Sequence, residues 1–300
     1  MKQSFNPLNQ EILVSIGGDL LPRAEAKVSV FDSLVQGGDG CWEGLRLYQG
    51  RIFKLSEHLE RLRHSALAMG FESIPSADAM RAEIQRTLAA NHMTDGVHIR
   101  LTLSRGIKIT SGMDPRLNQE GPLLIVLAEH KTPVYSKGGL TLSTSSLRRF
   151  PPDCLDPKIH HNNLLQSIMA KIEANASGAD DAILLDMSGF VAETNATHLF
   201  LVADNQVHTP RTVACPEGVT RATVLELCQA HQIPCQVRDI SLAEFHRGDE
   251  VFCTGTMGEI AAVTTIDGRQ IGNGEVGPLT RQMADLYETC TREGGEPVLS

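Results

Sequence analysis

The most regular segment of the chain runs from Val97 to Ser104, where apolar and polar residues alternate without a break. A period of two places successive side chains on opposite faces of a strand, so this pattern predicts a half-buried β-strand. The continuous apolar run from Leu123 to Ala128 predicts a second strand. Helical periodicity precedes both runs, at Leu55 to Met69 and at Ala77 to Asn91. Together these segments predict a mixed α/β domain that occupies residues 1–130.

Two further strands are predicted near the N-terminus, at Glu11 to Ile16 and at Ala26 to Phe31. The second would lead into the glycine-rich segment Gln36 to Gly40, where glycines permit close approach of the backbone. Ser76 precedes the second helical pattern and has the side chain of a typical N-cap.

Residues 131–139 have the composition of a connection between domains. Thr132 to Gly139 shows no period and contains a proline and two adjacent glycines. We therefore predict a second α/β domain over residues 140–300. Its expected strands lie at 140–145, 182–186, near 190, and at 198–202, 234–238, 250–254 and 260–265, and its expected helices at 163–175, 219–230, 241–245 and 279–291. Ser241 and Glu244 have the spacing of a capping box, and Asp267-Gly268 predicts a closing hairpin turn.

Composition restricts the class of protein further. With 300 residues, 41% of them hydrophobic, the chain can form two cores, and no apolar run approaches the length of a membrane span. The net charge of -9 is spread along the chain, which argues against nucleic acid as a partner. The first seven residues lack the pattern of a secretory signal, so we expect a cytoplasmic protein. Seven cysteines without a Cys-x-x-Cys pair indicate neither a disulfide framework nor a metal site.

The chemistry-bearing residues begin with Lys158, which follows Pro157 and stands just before a predicted amphipathic helix. Glu193 lies among apolar residues in a second element, where a buried carboxylate requires a cationic partner. A positioned amine together with such a carboxylate suits pyridoxal 5'-phosphate, because the amine can hold the cofactor aldehyde and the carboxylate can keep the pyridine nitrogen protonated.

Several other motifs accompany this pair in a fixed order along the chain: Trp42-Glu43-Gly44-Leu45-Arg46, His58-Leu59-Glu60-Arg61-Leu62, Glu217-Gly218-Val219-Thr220-Arg221 and Thr254-Gly255-Thr256-Met257-Gly258-Glu259-Ile260. With Lys158 and Glu193 they make nearly the whole chain resemble the class IV (fold type IV) pyridoxal-phosphate aminotransferases. The resemblance implies two α/β domains with the cofactor between them, and a homodimer or higher homo-oligomer.

The resemblance also implies roles for particular residues. Lys158 would be catalytic, first holding the cofactor and then moving a proton, and Glu193 would face the pyridine nitrogen. The phosphate would be held by Arg61, by Gly218, Val219 and Thr220 at a helix N-terminus, and by Gly255 and Thr256 in a turn. The substrate would be bound by Trp42, Gly44, Arg46, His98, Arg100, Asn163 and Met257.

The substrate is less strongly specified than the cofactor. Branched-chain aminotransferases of this family typically have a tyrosine at Asn163, and a tyrosine or similar residue at His98. His98 and Arg100 share one strand face, and Arg100 is a candidate partner of a substrate carboxylate, although a solvated strand face would show the same alternation. The spacing after Lys158 and the Trp42 motif nevertheless resemble the branched-chain group more closely.

The sequence therefore predicts an aminotransferase that exchanges an amino group between a branched-chain or other apolar L-amino acid and a 2-oxo acid such as 2-oxoglutarate. Alternatives within the family are a D-amino acid aminotransferase, an (R)-amine transaminase and an aminodeoxychorismate lyase. A non-catalytic binding protein on the same fold is the alternative from another class.

Overall fold

The computed structural model describes residues 4–135 and 138–299. Contacts divide these residues into two compact units. We call residues up to 132, with 159–163 and 291–299, the N-terminal unit, and residues 133–158 with 164–290 the C-terminal unit. The domain boundaries at residues 130 and 140 stay a prediction from the sequence.

The strands are β1 (Leu13–Ile16), β2 (Asp19–Pro22), β3 (Gly40–Tyr48), β4 (Arg51–Ile52), β5 (Val97–Ser104), β6 (Leu123–His130), β7 (Leu140–Arg148), β8 (Asp181–Leu185), β9 (Val191–Thr194), β10 (His198–Ala203), β11 (Gln206–Thr209), β12 (Cys235–Val237), β13 (Glu250–Gly255), β14 (Glu259–Ile266), β15 (Arg269–Gln270) and β16 (Glu296–Pro297). The α-helices are α1 (Ser33–Gly37), α2 (Leu55–Ala68), α3 (Ala77–Ala90), α4 (Leu165–Ser177), α5 (Val219–Ala230), α6 (Leu242–His246) and α7 (Pro278–Glu293). This mixture of sheets and helices confirms the predicted α/β (α+β) class. Among the described residues, no helix has both the length and the apolar character that a membrane crossing requires.

The N-terminal unit contains an antiparallel sheet in the order β16-β4-β3-β5-β6-β1-β2. The predicted strand Val97–Ser104 has the predicted bounds, and Ile99, Leu101 and Leu103 on one of its faces are fully buried. These residues belong to one core with apolar residues of α2 and α3 such as Leu62 and Ile84. The opposite face of β3 and β5 is therefore left for polar side chains.

The predicted strand at Ala26 to Phe31 was wrong. Residues 26–29 have no regular structure, and residues 30 and 31 form a turn before α1. The hydroxyl of Ser29 accepts from the amide of Phe31, and Asp32 caps α1 by accepting from the amide of Leu34. These local side-chain bonds compete with strand pairing, and Val30 is left 70% exposed.

The C-terminal unit contains a mixed sheet in the order β12-β11-β10-β13-β14-β7-β8-β9, with β15 beside β14. The pairs β14 with β7, β7 with β8, and β11 with β12 are parallel. One face of the sheet packs on a core that includes Leu199, Val251 and Phe245. The other face meets α4 through Leu184 and meets α5 beside β13. His198 alternates with the core residue Leu199, and Glu193 lies opposite Leu184 because the β8–β9 pairing is irregular between Leu184 and Leu185. Both side chains therefore point to the helix-covered face.

Several local predictions in the two units are confirmed. Ser76 accepts from the amide of Ala79 at the start of α3, and Ser241 with Glu244 forms the predicted capping box at α6. Ile266 pairs with Arg269 across the predicted turn. Ser136 and Lys137 of the predicted connection lie outside the described residues.

Candidate functional site

The C-terminal unit holds Lys158 at the end of the loop that precedes α4. Its backbone amide donates to Asp156 Oδ1 over 2.9 Å. Its amine donates to the backbone oxygen of Thr212 and, over 3.1 Å, to the Thr212 hydroxyl, and it lies 3.4 Å from Glu217 Oε1. The side chain is 37% exposed, so the amine is held in place and still accessible.

Glu193 lies in β9 and is almost fully buried. A guanidinium nitrogen of Arg149 lies 2.9 Å from its Oε1 atom and also donates to the backbone oxygen of Thr194 over 3.1 Å. The cationic partner predicted from the sequence is the pyridine nitrogen of the cofactor, and that assignment stays a prediction. Within the protein, Arg149 is a cationic partner that the sequence did not indicate. Another nitrogen of Arg149 donates to Ser167 in α4, which fixes the guanidinium between helix and strand.

Cys215 lies beside Glu193, with its Sγ atom within 4.8 Å of a carboxylate oxygen. Burial raises the pKa of its thiol, and the negative charge of Glu193 raises it further. The positive charges of Arg221, Lys158 and Arg149 act in the opposite direction. The charges of Lys158 and Glu193 therefore act on the same buried thiol, although Lys158 stands 35 positions before Glu193 in the sequence.

The start of α5 provides free backbone donors. Gly218 is its N-cap and makes no side-chain cap hydrogen bond. A Cβ atom on Gly218 would lie 2.3 Å from Cδ2 and 2.4 Å from Nε2 of His198, so the imidazole ring lies directly against the helix N-terminus. Since the first amides of a helix bind anions, this end of α5 is suited to a phosphate.

Thr254 lies opposite His198 in the sheet and precedes the turn Gly255 to Gly258. Its side chain is fully buried, and its hydroxyl has no hydrogen-bond partner among the described residues. A buried unsatisfied hydroxyl costs free energy, which a ligand bound beside it would recover.

These groups fit pyridoxal 5'-phosphate. An accessible amine is available for its aldehyde, a buried carboxylate for its ring nitrogen, and a helix N-terminus with an unpartnered hydroxyl for its phosphate. Glu193, His198 and Cys215 also place possible metal-ligand atoms within 4.8 Å of one another. The guanidinium of Arg149 already neutralises Glu193, however, and the raised pKa of Cys215 disfavours the thiolate that a metal needs. We therefore assign no metal to this cluster.

The N-terminal unit has a buried polar cluster of its own, centred on Glu43. Arg61 donates to both oxygens of this carboxylate over 2.7 Å, and His58 Nδ1 lies 2.7 Å from Oε2. His160 Nδ1 lies 3.4 Å from Oε1. Burial alone would raise the pKa of Glu43, but Arg61 and the two histidines hold it well below its usual range. The guanidinium of Arg61 is therefore fixed by a bidentate ion pair.

The predicted substrate residues of β3 and β5 share the sheet face opposite the core. Trp42 pairs with Thr102, Gly44 with Arg100 and Arg46 with His98 in the register of the two strands. The guanidinium carbon of Arg100 lies 3.9 Å from the centroid of the Trp42 ring. On its other side, Trp42 stacks on His160 with ring centroids 4.6 Å apart.

The electrostatics of this face favour an anion. Burial lowers the pKa of Arg100, which marks a desolvated cation. Burial, together with Lys131, Arg46 and Arg100, lowers the pKa of His98 to about 3, so its imidazole is neutral at neutral pH. The Nε2 atom of His98 and the Nε1 atom of Trp42 are buried and have no hydrogen-bond partner among the described residues. Gly44 lies beside both rings, since a Cβ atom there would be 3.4 Å from His98 Nε2 and 3.6 Å from Trp42 Cζ3.

The two remaining predicted substrate residues are placed differently. The side chain of Asn163 donates to the backbone oxygen of Gly38 over 3.3 Å and is exposed. Met257 lies in the turn after β13, where its backbone oxygen accepts from Val134 over 3.1 Å. These contacts do not test either assignment, and both stay predictions.

The roles of several residues become apparent only in the structure. The contact that distinguishes Arg149 joins segments far apart in the chain. Thr254 opens one of the sequence motifs, but its buried hydroxyl without a partner among the described residues is visible only in the fold. His198 could have been noticed as a polar residue at the start of an apolar strand, but alternation alone does not show what lies against it.

The chain is similar to known proteins over most of its length. Residues 40–266 match the model of the family Amino-transferase class IV. The chain is 53% identical over 293 residues to branched-chain-amino-acid aminotransferase-like protein 2 of Arabidopsis thaliana, which covers 97% of this chain and 52% of that protein. The chain thus spans about half the length of this plant relative. It is also 31% identical over 277 residues to a D-alanine aminotransferase of Bacillus licheniformis, covering 90% of this chain and 94% of that one.

A solved structure is similar over almost its whole length. The branched-chain aminotransferase of the thermophilic archaeon Thermoproteus uzoniensis, with norvaline, has a TM-score of 0.88 and 29% sequence identity. The similarity covers 94% of this chain and 95% of that chain. Its fold is therefore shared by the protein described here.

Proposed function

Because the chain belongs to the class IV aminotransferases, we propose that it uses pyridoxal 5'-phosphate to transfer an amino group between an apolar L-amino acid and a 2-oxo acid. The accessible amine of Lys158, together with the buried carboxylate of Glu193 that Arg149 holds at 2.9 Å, carries this proposal. Both groups lie in one unit, as transamination requires.

The chain's own residues have separate tasks. Lys158 would hold the cofactor aldehyde and, once released, would move a proton at the substrate α-carbon. Glu193, oriented by Arg149, would bind the ring nitrogen. The amides of Gly218 to Thr220, with Gly255, Thr256 and the hydroxyl of Thr254, hold the phosphate, and Arg61 is assigned to it from the family resemblance. Bound there, the cofactor supplies an electron sink for the bond that breaks at the α-carbon.

The polar face of the N-terminal unit supports a 2-oxo acid with a second carboxylate, such as 2-oxoglutarate. Arg100 places a desolvated cation over the Trp42 ring. The buried ring nitrogens Trp42 Nε1 and His98 Nε2 have no hydrogen-bond partner among the described residues, so a substrate could bind them. The Trp42 ring, with the side-chain-free Gly44 beside it, suits an apolar side chain. With Arg46 on the same face, these residues form our proposed substrate surface, and we retain Asn163 and Met257 in it from the sequence.

We also propose that the protein forms a homodimer through α4. Leu165, Ile168, Met169 and Ile172 form a stripe at helical spacing, and each is between 46% and 67% exposed. The charged side chains of α4 are engaged within their own unit, Lys171 with Asp181 and Glu173 with Ser145 and Ser146. A stripe without charge is complementary to an identical stripe across a twofold axis. A cytoplasmic location remains a prediction from the sequence.

One activity panel tests the proposed reaction. Purified protein is incubated with pyridoxal phosphate and with L- and D-amino acids, each against 2-oxoglutarate and pyruvate, and product keto acids are quantified. We expect the highest rates for L-leucine, L-isoleucine or L-valine with 2-oxoglutarate. Preference for D-alanine would instead favour the activity named for the Bacillus licheniformis relative. Pyruvate release from aminodeoxychorismate without an amino acceptor would indicate a lyase, and no turnover with any donor would contradict the proposal.

A further inference from the structure

Tyr135 connects two parts of the C-terminal unit that the proposed function uses. At one end, its ring lies against the turn after β13. A Cβ atom on Gly258 would lie 2.3 Å from both Cδ2 and Cε2 of Tyr135. The backbone of Gly258 does not have a positive φ, so the Tyr135 ring and not the backbone conformation explains the glycine. The adjacent amide of Val134 donates to the backbone oxygen of Met257, which attaches the same segment to the same turn.

At its other end, Tyr135 reaches a buried carboxylate. Its hydroxyl donates to Asp181 Oδ2. The second oxygen, Asp181 Oδ1, lies 3.0 Å from Lys171 Nζ and accepts from Asn195 Nδ2 over 3.2 Å. Asn195 is itself fixed by two hydrogen bonds with the backbone of Ala182, over 2.7 and 2.9 Å. Asn195 follows Glu193 by two residues, so this network anchors the end of the strand that carries Glu193.

The hydroxyl of Tyr135 keeps its proton over the working pH range. Burial raises the pKa of Tyr135 well above its ordinary value, and Cys253 and Asp181 raise it further. The phenol therefore remains a hydrogen-bond donor to the carboxylate.

We propose that Tyr135 is a positioning residue that ties the Gly255 to Gly258 turn to the Asp181–Asn195 network. It thereby sets the distance between the phosphate-binding turn, which contains Thr256, and the strand end that presents Glu193. This inference rests on the proposed function, because it assigns cofactor contacts to both ends. All of its contacts lie within the C-terminal unit.

The ring and the hydroxyl of Tyr135 can be tested separately. Tyr135→Phe removes the hydroxyl and with it the bond to Asp181 and the contact with Thr197, while Asp181 keeps Lys171 and Asn195 as partners. Tyr135→Ala also removes the ring from Gly258. Gly258→Ala adds a methyl group where the ring lies, so it should disturb the turn when Tyr135 is present and cost little when Tyr135 is alanine.

Equilibrium titration of cofactor-free protein provides the measurement. Pyridoxal phosphate and pyridoxal, which lacks the phosphate, are titrated against wild type, the two Tyr135 variants, Gly258→Ala and the double variant. We expect Tyr135→Phe to lower the affinity for pyridoxal phosphate roughly tenfold, which is the scale of one lost hydrogen bond. Tyr135→Ala should lower this affinity further. Pyridoxal should be affected less, because it makes no phosphate contact with the turn. Tyr287→Phe, which removes the hydroxyl of a buried tyrosine in α7, is the matched control and should leave both affinities unchanged.

The outcomes separate this inference from the proposed function. If wild type binds pyridoxal phosphate and every variant keeps the wild-type ratio of the two affinities, the inference is wrong and Tyr135 only packs. Equal losses for Tyr287→Phe would likewise assign the effect to general destabilisation. A wild type that does not bind pyridoxal phosphate would overturn the proposed function together with this inference. If Tyr135→Ala does not fold, the ratio of the affinities for pyridoxal phosphate and pyridoxal in Tyr135→Phe and in Gly258→Ala still tests the inference.

Discussion

The amine of Lys158 is held in position by contacts with neighbouring residues. Thr212 supplies two of its acceptors and Glu217 a third contact, so the amine occupies one position while remaining accessible. The proposed phosphate contacts at Gly218 and Thr254 involve other residues. Retention of the cofactor and covalent attachment to it should therefore be separable.

We predict that Lys158→Ala lowers turnover by at least roughly a thousandfold, within the range for removal of a group that moves a proton. Some noncovalent affinity for pyridoxal phosphate should remain, because the phosphate contacts are intact. Absorbance spectroscopy measures the loss of the visible band of the protein-bound cofactor, and Lys27→Ala, at an exposed lysine, is the control. Survival of the band in Lys158→Ala would move the attachment to another lysine.

Arg100 is the residue that reports most directly on substrate choice. It is half-buried against Trp42, and the neighbouring His98 is neutral, so the positive charge of this strand face is concentrated in arginine. We predict that Arg100→Leu lowers the transition-state stabilisation for glutamate and 2-oxoglutarate by about 2–4 kcal/mol, the scale for truncation of a buried charged pair. The loss for leucine and isoleucine should be smaller.

Steady-state kcat/KM for each substrate measures this asymmetry, with Arg63→Leu at an exposed arginine of α2 as the control. Equal losses for acidic and apolar substrates would place Arg100 on the α-carboxylate that they share. If neither substrate is affected, the polar side chains of this strand would be a solvated face without a role in binding.

The position of helix α5 depends on the absence of a side chain at Gly218. Gly218→Ala should lower the affinity for pyridoxal phosphate more than the affinity for pyridoxal. The added methyl group would overlap the His198 ring and displace the amides that bind the phosphate. We expect a loss of stability of about 1–3 kcal/mol, typical of overpacking. Paired titrations and thermal unfolding measure both effects. Gly37→Ala is the control, because the added atom meets nothing within 4 Å. If Gly218→Ala lowers the affinities for the two ligands equally, the start of α5 does not bind the phosphate.

Elements differ in how far the sequence determines them. The strand Val97–Ser104 was predicted with its observed bounds, because one of its faces is buried in a core and the alternation records this. The run at Ala26 to Phe31 has similar residues, but the bonds of Ser29 and Asp32 hold it in a turn. The same limit applies to the site. Lys158 and Glu193 were identifiable from motifs, whereas Arg149, 44 positions before its partner Glu193, becomes visible only when the chain is folded.

In the whole molecule, the exposed stripe on α4 is the feature that a single chain does not account for. Leu165, Ile168, Met169 and Ile172 present a continuous apolar surface on a helix whose N-terminal polar residues also bind Arg149. A specific interface buries at least about 1,000 Å² in total, while the largest apolar patch of a monomer is about 300–600 Å². The stripe would therefore form the centre of a self-contact, surrounded by a polar rim.

We predict that wild type sediments as a species of twice 32.6 kDa at micromolar concentration, and that Ile168→Glu and Ile172→Glu shift it to the monomer. Each substitution would place a carboxylate opposite its own copy in a desolvated contact, which is unfavourable. Sedimentation velocity over a range of concentrations measures the change. Leu67→Glu, at a half-exposed leucine of α2, is the matched control and should keep the wild-type mass. A monomeric wild type, or variants that retain its mass, would show that α4 is not the dimer contact. If Ile168→Glu dissociates the dimer, it should also lower the affinity for the cofactor, because α4 orients Arg149 and thereby Glu193.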